Sequence, residues 1–360
     1  MARYWVGGGS SVNWDATANT NWGTASNTQD NASVPGVDDD VFFDGVGTGA
    51  ANSTLSANIT INSLDMTGYI NTLTHNASVT LTVDGNGVNF KLATGMTYTL
   101  GNATTSALSF TGTSGTTNIY TLGKTLGNET YNGIGGTWLF QDDHTSGGTV
   151  ELTNGTLNTN AKTCSFGNFA SNNSNVRTAT FTNSTVNITS TGLSSFTFGT
   201  TTSNLTFNSS GSTVKFTVNS ASSKGMGWGG QTFNNVWLAT AGTGVIIFSG
   251  NGTFNDLKFD PATTLNVASG GYTFTVTTFT ATGTAGNVIT LKALTNGNTW
   301  NLSKSSGQVS SDYLSLRDSA AAGGASWYAG ANSTDVGGNS GWVFTAPPAN
   351  TFVSHGMIII

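Results

Sequence analysis

The sequence predicts an all-β chain wound as a parallel β-helix, or β-solenoid, with Trp-rich caps at its two ends. Three observations predict this. Charged residues make up only 8% of the 360 residues, about a third of the usual share, and Gly, Thr, Ser and Asn take their place. Glutamate occurs only at Glu129 and Glu151, so no segment offers the Glu, Lys, Ala and Leu mixture of an amphipathic helix. Apolar residues, 36% of the chain with 20 Phe and 9 Trp, alternate with Thr, Ser and Asn in short runs, as in strands with one buried face. Disordered polar chains, by contrast, are poor in aromatics and rich in charge.

The elements follow in chain order. Residues 1–45 carry Trp5, Trp14 and Trp22 and close on Val34-Pro35-Gly36, with Asp38-Asp39-Asp40-Val41-Phe42-Phe43 just beyond. They are expected to form an N-terminal cap or attachment module. Residues 46–318 are a long series of short strands with a recurring pattern. Phe233-Asn234-Asn235-Val236-Trp237-Leu238 reappears as Phe254-Asn255-Asp256-Leu257-Lys258-Phe259, and Ile61-Asn62-Ser63-Leu64-Asp65-Met66 has the same shape. Positions one, four and six are apolar, which fits a strand, a corner and a second strand facing one core. Phe279 extends the series. A degenerate repeat of about 21 residues marks a coiled strand stack. Roughly 270 residues then make about thirteen turns and a rod of roughly 60 Å at 4.8 Å per strand. A β-sandwich, or a string of two, is the competing fold, but it does not require one texture throughout.

Residues 319–344, with Trp327, Tyr328 and Trp342, are expected to cover the other end, because open strand edges invite pairing. The alternative for both Trp-rich segments is a small appended β module. Residues 345–360 form a tail. Pro347-Pro348 favours an extended path that leaves the ladder. Beyond it Phe352, Val353, Met357, Ile358, Ile359 and Ile360 are expected to serve assembly, by burial against a neighbouring subunit or another protein. The alternative is that they fold back over the last coil.

Charge and composition narrow the function. Net charge is −6 and the few Lys and Arg are scattered, so no basic stripe suits a nucleic-acid backbone. No apolar run reaches membrane-spanning length. The opening Met1-Ala-Arg-Tyr-Trp-Val-Gly-Gly-Gly lacks the apolar core of a signal peptide. Cys164 is the single cysteine. It allows no internal disulfide and reads as a small core residue.

Candidate chemistry is sparse. Asp38, Asp39, Asp40 and Asp44 could offer carboxylates to Ca²⁺, but calcium-loop spacing is missing, and a Pro-Gly turn with a solvated acidic edge fits better. Asp142-Asp143-His144 could be an acid–base set or part of a metal site. Followed by Ser146-Gly147-Gly148, it reads better as a loop tip. Glycan-cleaving β-helices use paired carboxylates, and Glu151, Asp256 and Asp260 lie near strand-like segments with nothing marking a pair. Lys258 and Asp260 read as an outward face. Gly7-Gly8-Gly9 and Gly133-Ile134-Gly135-Gly136 lack the strand–loop–helix setting of a phosphate cradle. No catalytic residue, cofactor or metal ligand is expected. Trp228 and Trp237 are candidates for gripping glycan, with core or coil stacking as the alternative.

Two segments resemble bacteriophage virion proteins of the β-solenoid type. The first runs through Arg3-Tyr4-Trp5-Val6-Gly7-Gly8, Asn13-Trp14-Asp15, Asn21-Trp22 and Val34-Pro35-Gly36 to Asp39-Asp40-Val41-Phe42-Phe43-Asp44. The second comprises Tyr313-Leu314-Ser315-Leu316-Arg317-Asp318-Ser319, Ala325-Ser326-Trp327-Tyr328-Ala329-Gly330-Ala331-Asn332-Ser333-Thr334-Asp335 and Asn339-Ser340-Gly341-Trp342-Val343-Phe344. Together they cover about a quarter of the chain. Related Trp/Gly patterns also occur in autotransporter passengers and bacterial surface adhesins. The resemblance implies a non-enzymatic tail fibre, spike or head-decoration protein and transfers no catalytic residue. The implied partners are other virion proteins, further copies of the chain (a trimer is plausible) and host surface glycan. The implied place is the virion, assembled in the host cytoplasm, where a single cysteine suits a reducing compartment. A glycan-degrading tailspike enzyme and a bacterial surface adhesin are the competing functions.

Overall fold

The alternation seen in the sequence becomes a stack of parallel strands. A computed structural model describes residues 1–9, 11–14, 21–46, 51–190, 194–199, 202–217, 223–239 and 244–348. These residues contain no helix and form a β-solenoid of about 13 turns. Most strands belong to one continuous 29-stranded sheet. Two three-stranded stacks complete the walls, one of Ser53–Leu55, Thr72–His75 and Thr97–Leu100, the other of Gln308–Ser310, Ser326–Tyr328 and Trp342–Val343.

The recurring pattern is a register. Phe233 faces Phe254 and then Val276; Val236 faces Leu257 and then Phe279; Leu238 faces Phe259 and then Ala281. All nine are buried, and upstream Ile61, Leu64 and Met66 are buried in the same way. Side chains alternate across a strand, so the intervening Thr, Asn and Lys point outward. The coils stack because each buries its inner face against the next.

Coil length is less steady than the sequence suggests. Thr149 faces Asn168, 19 residues away, whereas Asn89 faces Asn118, 29 residues away. The ladder fixes only the strands, and extra residues are lodged in corner loops that leave the register intact. Corners use left-handed backbone, at Asn160, Asn183 and Asn204 among others, a conformation Asn tolerates better than most residues. Gly155, at φ 73°, shows why glycine recurs there, since a Cβ would lie 2.4 Å from the Gly133 carbonyl oxygen of the coil below. The Gly133–Gly136 run is therefore a tight bend between close coils.

The ladder runs through both Trp-rich segments. Ala2–Trp5 pairs in parallel with Asp40–Phe42, which pairs with Ser63–Asp65. Trp22–Gly23 runs antiparallel along the outer side of Ala2–Trp5. Trp5, Trp14 and Trp22 are fully buried around Phe43, which also meets Tyr69. At the far end Leu314–Arg317 pairs with Thr334–Gly337, and there the inward Leu316 meets the exposed Asp335. A short, exposed edge strand carrying a charge is one way to end a strand stack. Trp342 packs edge-on against Trp327, with ring centroids 5.1 Å apart. The tail residues Phe352, Val353, Met357, Ile358, Ile359 and Ile360 lie outside the described residues.

Candidate functional site

Strands Thr232–Leu238, Gly252–Phe259 and Thr273–Ala281 each run straight, skip one residue, and run on. Phe233, Phe254 and Val276 are in register before the bend, and Asn235, Asp256 and Thr278 after it. Asn234, Asn255 and Thr277 occupy the bend itself. The result is a valley of about 360 Å³ along the stack, lined by Ser209, Ser210, Thr232, Asn234, Thr253, Asn255 and Thr277, with Phe233 and Phe254 beneath. Hydroxyl and amide groups stand along its walls, but most of its lining surface is carbon, over the buried Phe233 and Phe254.

Three residues beyond the bend, Lys215, Trp237 and Lys258 stand in register on adjacent coils. The Lys215 ammonium lies 3.7 Å from the Trp237 ring centroid and that of Lys258 4.0 Å from it, so the half-buried indole is clasped on both faces by cation–π contacts. Its Nε1 donates to Asp260 at 2.8 Å. Both faces being taken, Trp237 offers no open platform for stacking a sugar. Lys304 reaches back one coil and donates to the carbonyl of Thr277 in the valley. Asp256 accepts from Thr280 at 3.4 Å, and burial pushes its carboxyl above the ordinary value.

Other residues singled out by sequence have different surroundings. Trp228 is fully buried against Phe233, Phe248 and Phe254 and belongs to the core. Asp256 and Asp260 lie four residues apart along one extended segment, about 13 Å by strand rise, beyond the separations of about 5–9.5 Å used by paired glycosidase carboxylates. Glu151 is exposed and faces Thr130 and Ala170. The acidic run after Pro35-Gly36 does not converge. Asp39 is buried, accepts from the Gly36 N–H at 2.9 Å and lies 3.5 Å from Arg3. Asp40 accepts from Asn62 and Ser63, and Asp44 from the Val46 N–H. Asp39 thus departs from the expected solvated edge. Among the described residues no group of three or more His, Cys, Asp or Glu side chains could hold a metal ion.

The Asp142-Asp143-His144 triplet corrects the loop-tip expectation. Asp142 accepts from the N–H groups of Thr121 and Leu122 on the neighbouring coil, and Asp143 from that of Thr163. His144 begins the strand His144–Asn158 and points into the core. Its Nε2 donates to both Glu129 carboxylate oxygens at 2.9 Å, and the Tyr131 hydroxyl donates to the same carboxylate at 2.5 Å. Phe140 stacks flat on the imidazole, 3.8 Å between centroids. Burial pushes the Tyr131 and Cys164 groups up, so neither is a ready nucleophile or acid. Sequence reading missed this network. The signal was present: inward residues at every second position link His144 and Ser146 to Val150 and Leu152.

Compared with known protein families, with curated proteins and with solved structures, the chain matches none of them.

Proposed function

We propose that the chain is a non-enzymatic structural protein of a bacteriophage particle, a stiff rod projecting from its head or tail as a decoration protein, fibre or spike. The observation that carries this reading is the continuous, mainly parallel sheet that runs from Ala2–Trp5 to Thr334–Gly337, in which each coil is braced by its neighbours. Such a stack is long, narrow and resistant to local opening, as a projecting part must be. The two Trp-rich segments that resemble virion proteins lie at its ends, where a rod meets what it is mounted on. Outward Thr, Ser and Asn satisfy one another across coils, as Asn154 does with Asn132 and Asn118 with Asn89, so the exterior needs few ionic partners. The partners in this reading are other virion proteins and further copies of the chain, engaged through Phe352, Val353, Met357, Ile358, Ile359 and Ile360.

Labelled antibody against the chain, applied to purified particles and to host cells, tests the proposal. Regular labelling of heads or tails is expected. Labelling confined to the cell surface would replace it with the adhesin reading. New reducing ends from host polysaccharide incubated with the purified chain would replace it with the tailspike enzyme.

A further inference from the structure

We infer that the Asp260–Pro261 peptide bond is a self-cleavage site, cut in mild acid by the Asp260 carboxylate acting on its own main chain. The bond lies in the corner between strands Gly252–Phe259 and Thr264–Val267. There the Asp260 carbonyl oxygen accepts two hydrogen bonds from one residue, from the Thr263 N–H at 3.3 Å and from the Thr263 hydroxyl at 2.7 Å. Thr263 is fully buried, so both donors are fixed before any reaction begins. Two fixed donors on a carbonyl oxygen stabilise the negative charge that develops when its carbon is attacked. The attacking group is on the same residue. Asp260 Oδ1 is held by the Trp237 N–H at 2.8 Å, which leaves Oδ2 to react.

The leaving side of the bond is equally suited. Pro261 is exposed, and its nitrogen carries no N–H, so this tertiary amide takes up a proton from water more readily than a secondary one. Ala262 is held at φ 66°, a left-handed conformation that a residue with a Cβ adopts at a cost, and its N–H is pinned to the Asn287 carbonyl at 3.1 Å. Cleavage releases that strain. Oδ2 bonds to the Asp260 carbonyl carbon and closes a cyclic anhydride. The bond to the Pro261 nitrogen breaks, and that nitrogen leaves with a proton from solvent. Water then opens the anhydride, leaving Asp260 as a new C-terminus and Pro261 as a new N-terminus. The doubly bonded corner recurs at Ser209, whose carbonyl accepts from the Ser212 N–H at 2.9 Å and its hydroxyl at 2.6 Å. Only at Asp260 does it coincide with a carboxylate on the same residue and a proline beyond. The cut coil stays in place, because Gly252–Phe259 pairs with Thr273–Ala281 and Val245–Ser249 with Thr264–Val267 across the break.

The experiment holds the full chain at about pH 5, where protons are plentiful and carboxylates remain largely ionised, with folding checked by circular dichroism. A parallel sample at the same pH is unfolded in urea. Mass spectrometry should find fragments 1–260 and 261–360 accumulating at least about tenfold faster in the folded chain. Asp260→Asn keeps an acceptor for the indole but removes the nucleophile, and should yield no fragments. Thr263→Val should cut at least about tenfold more slowly, while Thr263→Ser, which restores the hydroxyl, should cut like the wild type. The absence of fragments would overturn the inference. So would cutting no faster than in urea, which is the ordinary acid lability of an Asp–Pro bond, or Thr263→Val cutting at the wild-type rate. The isolated chain is the sample, so these outcomes are independent of where the protein resides on a particle.

Discussion

The coils around Asn128–Phe140 and those around Thr232–Leu238 share one ladder but fill their interiors with different chemistry. In the later stretch the core is hydrocarbon. The Trp228 ring meets Phe233, Phe248 and Phe254 edge-on at 4.8–5.1 Å, the geometry aromatic pairs prefer. In the earlier stretch the same inward columns carry Glu129, Tyr131 and His144, all fully buried. The polar stretch pairs its carboxylate with three short contacts and leaves only His144 Nδ1 without a partner, while the aromatic stretch leaves the Trp228 Nε1 without one. A coil therefore accepts either filling if its polar groups are nearly all paired. The two fillings differ in how they fail, since an apolar core loses contact area while a polar network leaves a buried polar group without its partner.

That difference can be broken or sharpened by substitution. The largest effect is expected from Glu129→Ala, which strands His144 and the Tyr131 hydroxyl. Each buried polar group left without a partner costs about 1–3 kcal/mol, so the two together are the largest loss, measured as a drop in denaturant midpoint. Next come Phe254→Ala and Leu257→Ala, at about 2–5 kcal/mol each. In this stretch the loss should shrink if a larger neighbour refills the cavity, a rescue the polar network has no means to copy.

A smaller, pH-dependent effect is expected at His75. It is buried, its Nε2 donates to the Val79 carbonyl and its Nδ1 accepts from Tyr98, an arrangement built for the neutral ring. Burial holds its pKa below the ordinary 6.5. The unfolded chain then binds the proton first, so stability is complete above about pH 6.5 and falls as pH drops below it. His75→Gln should flatten the dependence of the thermal midpoint between pH 7 and pH 5. The smallest effects belong to Asn255→Ala and Asp256→Ala, within about 0.5 kcal/mol as for outward positions. Equal small losses at Phe254, Asn255, Asp256 and Leu257 would mean that the inward face has been misassigned.

The contrast between the stretches also explains what the sequence could reveal. Phe254 and Leu257 were legible because apolar residues recurring at positions one, four and six of the repeat have one physical reading, burial. His144 was not, because a polar residue beside two aspartates is assigned to solvent unless its partner is known. That partner, Glu129, sits 15 residues away on a strand whose register only the fold supplies. Trp237 was legible as a candidate but not as a residue clasped by two lysines, since Lys215 and Lys258 reach it only through stacking of three coils. The valley depends on the bends at Asn234, Asn255 and Thr277 coinciding, and a one-residue slip would erase it.

The central claim is that both stretches, and the Trp-rich ends, belong to one continuous ladder. Hydrogen exchange resolved along the chain tests it most directly. Strand amides should exchange slowly from Ala2–Trp5 through Asn128–Phe140 and Thr232–Leu238 to Leu314–Arg317, with fast exchange confined to corners. A block of fast-exchanging strand amides separating the polar-cored coils from the aromatic-cored ones, or either end from the middle, would contradict it.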